Sequence, residues 1–333
     1  MVATTYGDIS QRTAYHAMQD MLEVAEDELV LAKFGKTKAV PKNKAEAVKF
    51  RRTVRYDAVT VPLAEGVTPS AHVHTYEDVS MTLKQWGDLV IITDKVHDLA
   101  EDPVLKDATE ESGRQSALTL ELVTYGVVKA GTSVYYANGA SRAAVNTAVS
   151  LNRVRGVVKF LKTSGAKPFT KILGSSVNYG SRSVESGFIA VCHTDCEPDL
   201  RNLSGFKTVA DYGSRNPVSP YEFGSVENVR FVTSRSLDPF EAAGSATLNG
   251  MVSVGAANVD VYPILFFGMD AYGLCPLKGR ESVDISVINP ETKDKSDPLG
   301  QRGFVGWKAW FNAVRLNETW MSRLEVGVTD IDG

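Results

Sequence analysis

Between Asp102 and Gly131, apolar and small residues recur at three-to-four-residue steps: Val104, Leu105, Ala108, Ser112, Ser116, Leu120, Val123, Val127 and Ala130. That period puts them on one face of a helix. Asp102 is a capping residue, Pro103 suits the first helical position, and Gly131 is a stop. Asp107, Glu110 and Glu111 lie early and Lys129 late, as the helix dipole favours. At ~1.5 Å per residue this helix is roughly 40 Å long. Its Glu110, Glu111 and Arg114 side is expected to face away from the core.

A second helical period covers residues 8–34, with Ala14, Ala17, Met18, Met21, Leu22, Ala25, Leu29 and Ala32 opposite an acidic face. The charge then reverses. From Lys33 to Arg55 there are nine basic residues and one acid, Glu46. Gly35 and Pro41 punctuate that stretch, which predicts an extended arm without a core of its own. Residues 48–56 alternate strictly: Val48, Phe50, Arg52, Val54 and Tyr56 share one strand face, and Lys49, Arg51, Thr53 and Arg55 the other. Pro62, Gly66 and Pro69 make residues 60–71 a loop tip. Residues 72–85 return with Val73, Thr75, Val79, Met81 and Leu83 on one side. A lone two-stranded hairpin is marginal in water, so something outside it, most economically another subunit, is expected to hold it.

Residues 86–93 form an apolar run that reads as a buried strand. After the long helix, residues 133–147 read as a loop and 151–166 as a helix with Leu151, Val154, Val157, Val158 and Leu161 inward. Strands are expected at 186–195, 226–234 and 258–268, with Pro263 marking an edge or bulge, and a short helix near Glu197. This alternation marks an α/β or α+β unit from about 148 to 275. A further strand is expected at 282–290. Residues 303–317 alternate again, with Val305, Trp307, Ala309, Phe311 and Ala313 on one face. So long a strand needs a long partner, and residues 86–93 are the candidate.

Composition adds limits. Hydrophobic content of 43%, charged content of 23% and a net charge of −4 over 333 residues describe a globular protein without a nucleic-acid-binding excess of positive charge. No apolar run reaches the roughly 20 residues that span a bilayer, so no membrane is expected. The start of the sequence lacks the pattern of a secretory signal, which suggests synthesis in a cytoplasm. Cys192, Cys196 and Cys275 do not make a disulfide framework. Cys192, His193, Asp195 and Cys196 are half of a zinc set with no second half, and a Cys–His nucleophile pair fails because strand neighbours point to opposite faces. His72 and His74 share a strand face but no carboxylate at a fitting spacing. The glycines of 174–183 lack the lysine-bearing helix start of a phosphate loop. No catalytic, cofactor-binding or metal-binding set is therefore expected. A Cys-dependent or metal-dependent enzyme built on residues 192–196 remains as a competing reading.

The order of parts, together with TVPLAEGVTP, QWGDLVIITD, EDPVL, AGTSVYYAN, FFGMDAYG and SDPLGQRGFVGWKAWFNAVRLNETWMSRLE, resembles the major capsid proteins of tailed bacteriophages with the Hong Kong 97-type fold. Within them it resembles the podovirus subgroup of the enquatrovirus type. The resemblance implies an α+β fold with an N-arm at 1–45, an extended β-hairpin loop at 46–85 and a peripheral domain at 86–147 containing a spine helix at 102–131. It also implies an inserted axial domain at 148–275 and a return through the peripheral domain at 276–333. It implies a structural protein that self-assembles through hexamers and pentamers into an icosahedral virion shell around double-stranded DNA. Scaffolding, portal and decoration proteins would be separate partners. Lys49, Arg51, Arg52, Arg55, Glu65 and Gly66 become candidates for contacts between subunits. An encapsulin-like nanocompartment shell is the alternative with the same fold.

Overall fold

The computed structural model describes residues 29–41, 46–63, 65–66, 68–94, 104–173, 181–212, 217–255, 257–278, 283–288, 292–293 and 297–331. In chain order, β1 (Lys36–Thr37) and β2 (Val40–Pro41) precede a hairpin of β3 (Ala47–Thr53) and β4 (Tyr76–Thr82). Next come β5 (Lys84–Thr93), the long helix α1 (Val104–Lys129), β6 (Val134–Tyr136) and α2 (Leu151–Thr163). β7 (Phe169–Leu173), β8 (Ser181–Cys192), the short helix α3 (Glu197–Arg201) and β9 (Lys207–Thr208) follow, then β10 (Glu222–Val226) and β11 (Val229–Thr233). The chain finishes through β12 (Tyr262–Phe267), β13 (Tyr272–Lys278), β14 (Asp284–Ile288), β15 (Arg302–Arg315) and β16 (Met321–Val326).

Two main sheets result. In the first, β15 pairs antiparallel with β5 along one edge and with β14 and β13 along the other. The expected partnership of 303–317 with 86–93 is present, from Arg302 opposite Thr93 to Phe311 opposite Lys84. Val305, Trp307, Ala309, Phe311 and Ala313 are all buried, as the alternation requires. The second sheet runs β6-β16-β12-β8-β11-β10-β9, with β7 also on β8. Its central strands are apolar on both faces. Ile189, Val191, Val232, Leu265 and Phe267 join the core shared with α1 and β15, while Ala190, Phe231, Ile264 and Phe266 meet Val154, Val157 and Leu161 of α2. A strand covered on both sides reads as a continuous apolar run. Pro263 lies beyond the β8 ladder, which begins at Leu265, so its missing N–H costs no pairing with β8.

Several expectations change. Most of the 8–34 helix lies outside the described residues; within the rest, Leu31–Lys33 form a single 3-10 turn. Gly35 then packs so closely on Tyr272 and Leu274 that an added Cβ would meet them within 2.8 Å. Residues 86–93 are an edge strand rather than a buried one: Leu89 and Val90 are 53% and 41% exposed. Residues 226–234 are the end of one strand and all of another, because Glu227 and Asn228 adopt φ of 51° and 64° and turn the chain between β10 and β11. The expected loop at 133–147 contains β6, which is parallel to β16.

The phase of α1 holds at its start and slips toward its end. Ser112, Ser116 and Leu120 are buried as expected; toward the end Thr124, Tyr125 and Val128 are the fully buried positions, with Val123 and Val127 half-buried against the same core. The true face carries Thr109, Ser112, Gly113, Ser116, Glu121 and Thr124, so an apolar count underweights it. The hydroxyls of Thr109, Ser112 and Thr124 return to carbonyls one turn back, which is how polar residues fit a packed helix face. Glu111 and Arg114 are exposed and Glu110 half-buried, as expected.

Candidate functional site

The hairpin does not need a neighbour to hold its base. In register, Val48 faces Met81 and Phe50 faces Val79. Val48, Met81 and Leu83 are buried with Val40 and Cys275, and Phe50, Leu277, Trp310 and Val314 pack beside them. Gly273 admits the Phe50 ring: a Cβ there would come within 2.9 Å of it. β1 and β2 strap the same place by pairing parallel with β13, so the expected core-less arm is tied to the first sheet over residues 36–41.

From the last ladder pair, Thr53 opposite Tyr76, outward the picture reverses. Val54, Tyr56, Val59, Val61, Leu63, Val73 and Tyr76 are exposed apolar residues along one excursion of the chain. Monomers rarely expose large contiguous apolar areas; such areas mark contact sites. The tip turns at Glu65 and Gly66, both exposed, with Gly66 at φ 76°. His72 and His74 sit around Tyr56: the Tyr56 hydroxyl lies 2.5 Å from His74 Nδ1, and the His72 and His74 rings lie 6.3 and 5.7 Å from its ring.

The basic residues are less free than the sequence suggests. Arg51 donates to both oxygens of Asp78 at 2.7 and 3.0 Å, and Arg52 donates to Glu77 at 2.7 Å, each directly across the hairpin. Lys49 stands 4.0 Å from Asp78. Hydrogen bonds from Arg51 hold the Asp78 carboxyl below its usual range. Arg55 is exposed. Reversing Arg51 to an acid would therefore disturb the hairpin itself. A cleaner test reverses Lys49 and Arg55 to Glu. The expected outcome is a severalfold lower assembly yield at low salt, a difference that shrinks at high salt because exposed charges are screened. Light scattering across a salt series reads it.

The segment from Cys192 to Cys196 is a strand end, not a reactive centre. Both sulfurs are buried, and burial pushes both thiols far above their ordinary range. The Asp195 N–H donates to His193 Nδ1 at 3.3 Å, and the Tyr262 hydroxyl donates to Asp195 at 2.9 Å. Burial also raises Cys275, to about 11. Since the thiolate is the nucleophile, all three cysteines are expected to resist a thiol reagent in the folded protein and to react once it is unfolded. Counting released chromophore with and without denaturant checks this. No group of three or more metal-ligating residues occurs among the described residues.

The polar centre that sequence patterning missed is Glu325. It is fully buried in β16. Arg142 donates to both of its oxygens at 2.8 Å and Arg323 to one at 2.7 Å. The Phe240 ring lies against all three nearby cations, 3.4 Å from the Arg142 guanidinium, 4.0 Å from Lys129 Nζ and 5.8 Å from Arg323. The cluster ties the end of α1 and the loop around Arg142 to the second sheet. Only the alternation of β16 hinted at it: Arg323 and Glu325 share one strand face between Met321, Leu324 and Val326.

The model of a family described as phage capsid protein matches residues 76–322. A search of curated proteins finds no match. Among solved structures, the capsid of Ralstonia phage GP4 is similar at 14% identity, covering 92% of each chain with a TM-score of 0.67. The head of Helicobacter pylori bacteriophage KHP40 is similar at 12% identity, covering 89% of this chain and 88% of the other with a TM-score of 0.60. The capsid of cyanophage Pam1 is similar at 16% identity, covering 86% of each chain with a TM-score of 0.58. At these identities the likeness is one of fold.

Proposed function

The chain belongs to the phage capsid protein family, and from that premise we propose that its copies close an icosahedral shell around double-stranded DNA by the Hong Kong 97-type arrangement. It is a major capsid protein of the virion, a structural protein that oligomerises and not an enzyme. On the proposed arrangement, α1 is the spine helix, the 46–85 excursion is the extended loop, and the unit at 148–275 is the axial domain. The segments at 86–147 and 276–333 make the peripheral domain, and 1–45 the N-arm. Hexamers and pentamers are the closing units, since contacts between unlike surfaces give rings when the rotation closes. Scaffolding, portal and decoration proteins are separate partners.

The observation that carries this reading is the hairpin, with its base packed on its own sheet and its distal half bare. A subunit that meets only water gains nothing from that apolar excursion, whereas a neighbour that covers it offsets the ordering cost. Lys49, Arg51, Arg52 and Arg55 flank the excursion, and Glu65 and Gly66 make its tip, so they are proposed contacts between subunits. Arg51 and Arg52 act there as cis-paired groups. Electron microscopy of the purified protein tests the reading: closed particles are expected, and a protein that stays monomeric under all assembly conditions would overturn it. Particles that carry a cargo protein and no DNA would point instead to a nanocompartment.

A further inference from the structure

Glu121 lies on the core side of α1 with no exposed surface. One carboxyl oxygen, Oε1, accepts the Leu31 N–H at 2.8 Å. The other, Oε2, is buried with no hydrogen-bond partner among the described residues. The turn above it is set deep: Val30, Leu31 and Phe34 are buried in the core that contains Leu120, Phe267 and Tyr272. The Tyr272 hydroxyl donates to the Leu31 carbonyl at 2.6 Å. A single turn is thus gripped at its amide by Glu121 and at its carbonyl by Tyr272, at the point where the chain leaves toward its N-terminus.

We propose that Glu121 is a pH-controlled latch on the N-terminal segment, holding the Val30–Phe34 turn against the long helix when neutral and loosening its hold when ionised. A neutral carboxyl keeps the acceptor that Leu31 uses and leaves no charge in the core. An ionised one places a charge there with one oxygen unsolvated, which is costly. Burial raises this carboxyl to about 7, against the pull of the Leu31, Ala32 and Val30 amides and of Lys33. Among the described residues, the groups that act on it are few. Lys33 comes from the turn itself. Tyr272 comes from β13 and is itself held protonated by burial and by Glu121. Tyr125, one turn further along α1, donates away to the Asp238 carbonyl at 2.7 Å.

The sign follows from linkage. With the turn seated the group titrates near 7; once released it returns to its ordinary value of 4.5. The seated form therefore binds more protons throughout that interval, so its advantage is complete below 4.5 and is lost as pH rises through 7. The opening constant of the latch should rise about tenfold per pH unit across the window and then level off, about 300-fold in all. This inference does not depend on the shell-forming role.

Hydrogen exchange of the full-length protein tests it, read by mass spectrometry on peptides covering residues 29–36. Rates are corrected for intrinsic exchange and referenced to the β8–β11 ladder. Protection of the turn is expected to fall about tenfold per unit from pH 5 to 7 and to be level above. Glu121→Gln, neutral at every pH, should be flat. Tyr272→Phe should lower protection throughout while keeping the slope. A flat wild-type profile overturns the proposal, as does a slope that survives in Glu121→Gln. Should Glu121→Gln not fold, the wild-type and Tyr272→Phe profiles decide alone, a slope in both supporting the latch and a flat line in either overturning it.

Discussion

Replacing residues 55–74 with Asn-Gly is expected to abolish closed shells while leaving the subunit folded. The removed segment includes Tyr56, Val59, Val61, Leu63 and Val73, which are between 58% and 81% exposed. Side chains already in water contribute little burial to the isolated subunit. The ladder that remains ends naturally, because the Val54 N–H donates to the Thr75 carbonyl at 3.1 Å. Asn-Gly is the two-residue connection that suits the twist of such a hairpin. The base, from Val48 and Met81 to Cys275, is untouched. Circular dichroism should therefore show an unchanged melting temperature, and sedimentation and electron microscopy should show no particles. Normal particles from this variant would mean that the excursion is not what joins subunits.

Glu325→Ala is the second large effect expected, this time on the subunit. Removing the anion leaves Arg142, Arg323 and Lys129 facing one another around Phe240 with no carboxylate between them. Breaking a buried pair by deleting one partner costs about 3–5 kcal/mol; here Arg323 stays buried and uncompensated, while Arg142, one-third exposed, is partly relieved by water. The loss should appear as a lower midpoint in denaturant unfolding of the subunit. Pairing the change with Arg142→Met should recover part of it, since one of the stranded charges is then removed as well. A Glu325→Ala protein that unfolds at the wild-type midpoint would show that water reaches the cluster freely.

What the sequence made legible follows the physics of each signal. Strict alternation in residues 303–317 predicted both the buried face and the partner strand, because period-two patterning reports burial directly. The two limbs of the hairpin and their faces were legible for the same reason, but not which residues lie opposite one another. The long helix was legible in extent but not fully in phase, because its buried face includes Thr109, Gly113, Glu121 and Thr124, residue types that no apolar count selects, beside Leu120, Tyr125 and Val128. Residues 86–93 misled in the other direction: an apolar run means burial on both faces only when both faces are covered by this chain, and Leu89 and Val90 are not. Two ion-pair features were out of reach. The pairing of Arg51 with Asp78 depends on which residues lie opposite in the hairpin, and Glu325 meets Arg142 only after β6 and β16 come together. Separations of this kind leave no trace in local spacing.

The passage from β4 to β5 has a mechanical consequence. The chain runs from Tyr76–Thr82 to Lys84–Thr93 through Leu83 alone, with no turn between them. A neighbour that pulls on the hairpin therefore pulls β5 lengthwise along β15. Ten register pairs, from Lys84 opposite Phe311 to Thr93 opposite Arg302, are loaded together. They must give way as a set, in shear, rather than open one after another from an end. The excursion is thus moored like a rope lying along a beam, and the tension it takes up is spread over the length of the sheet.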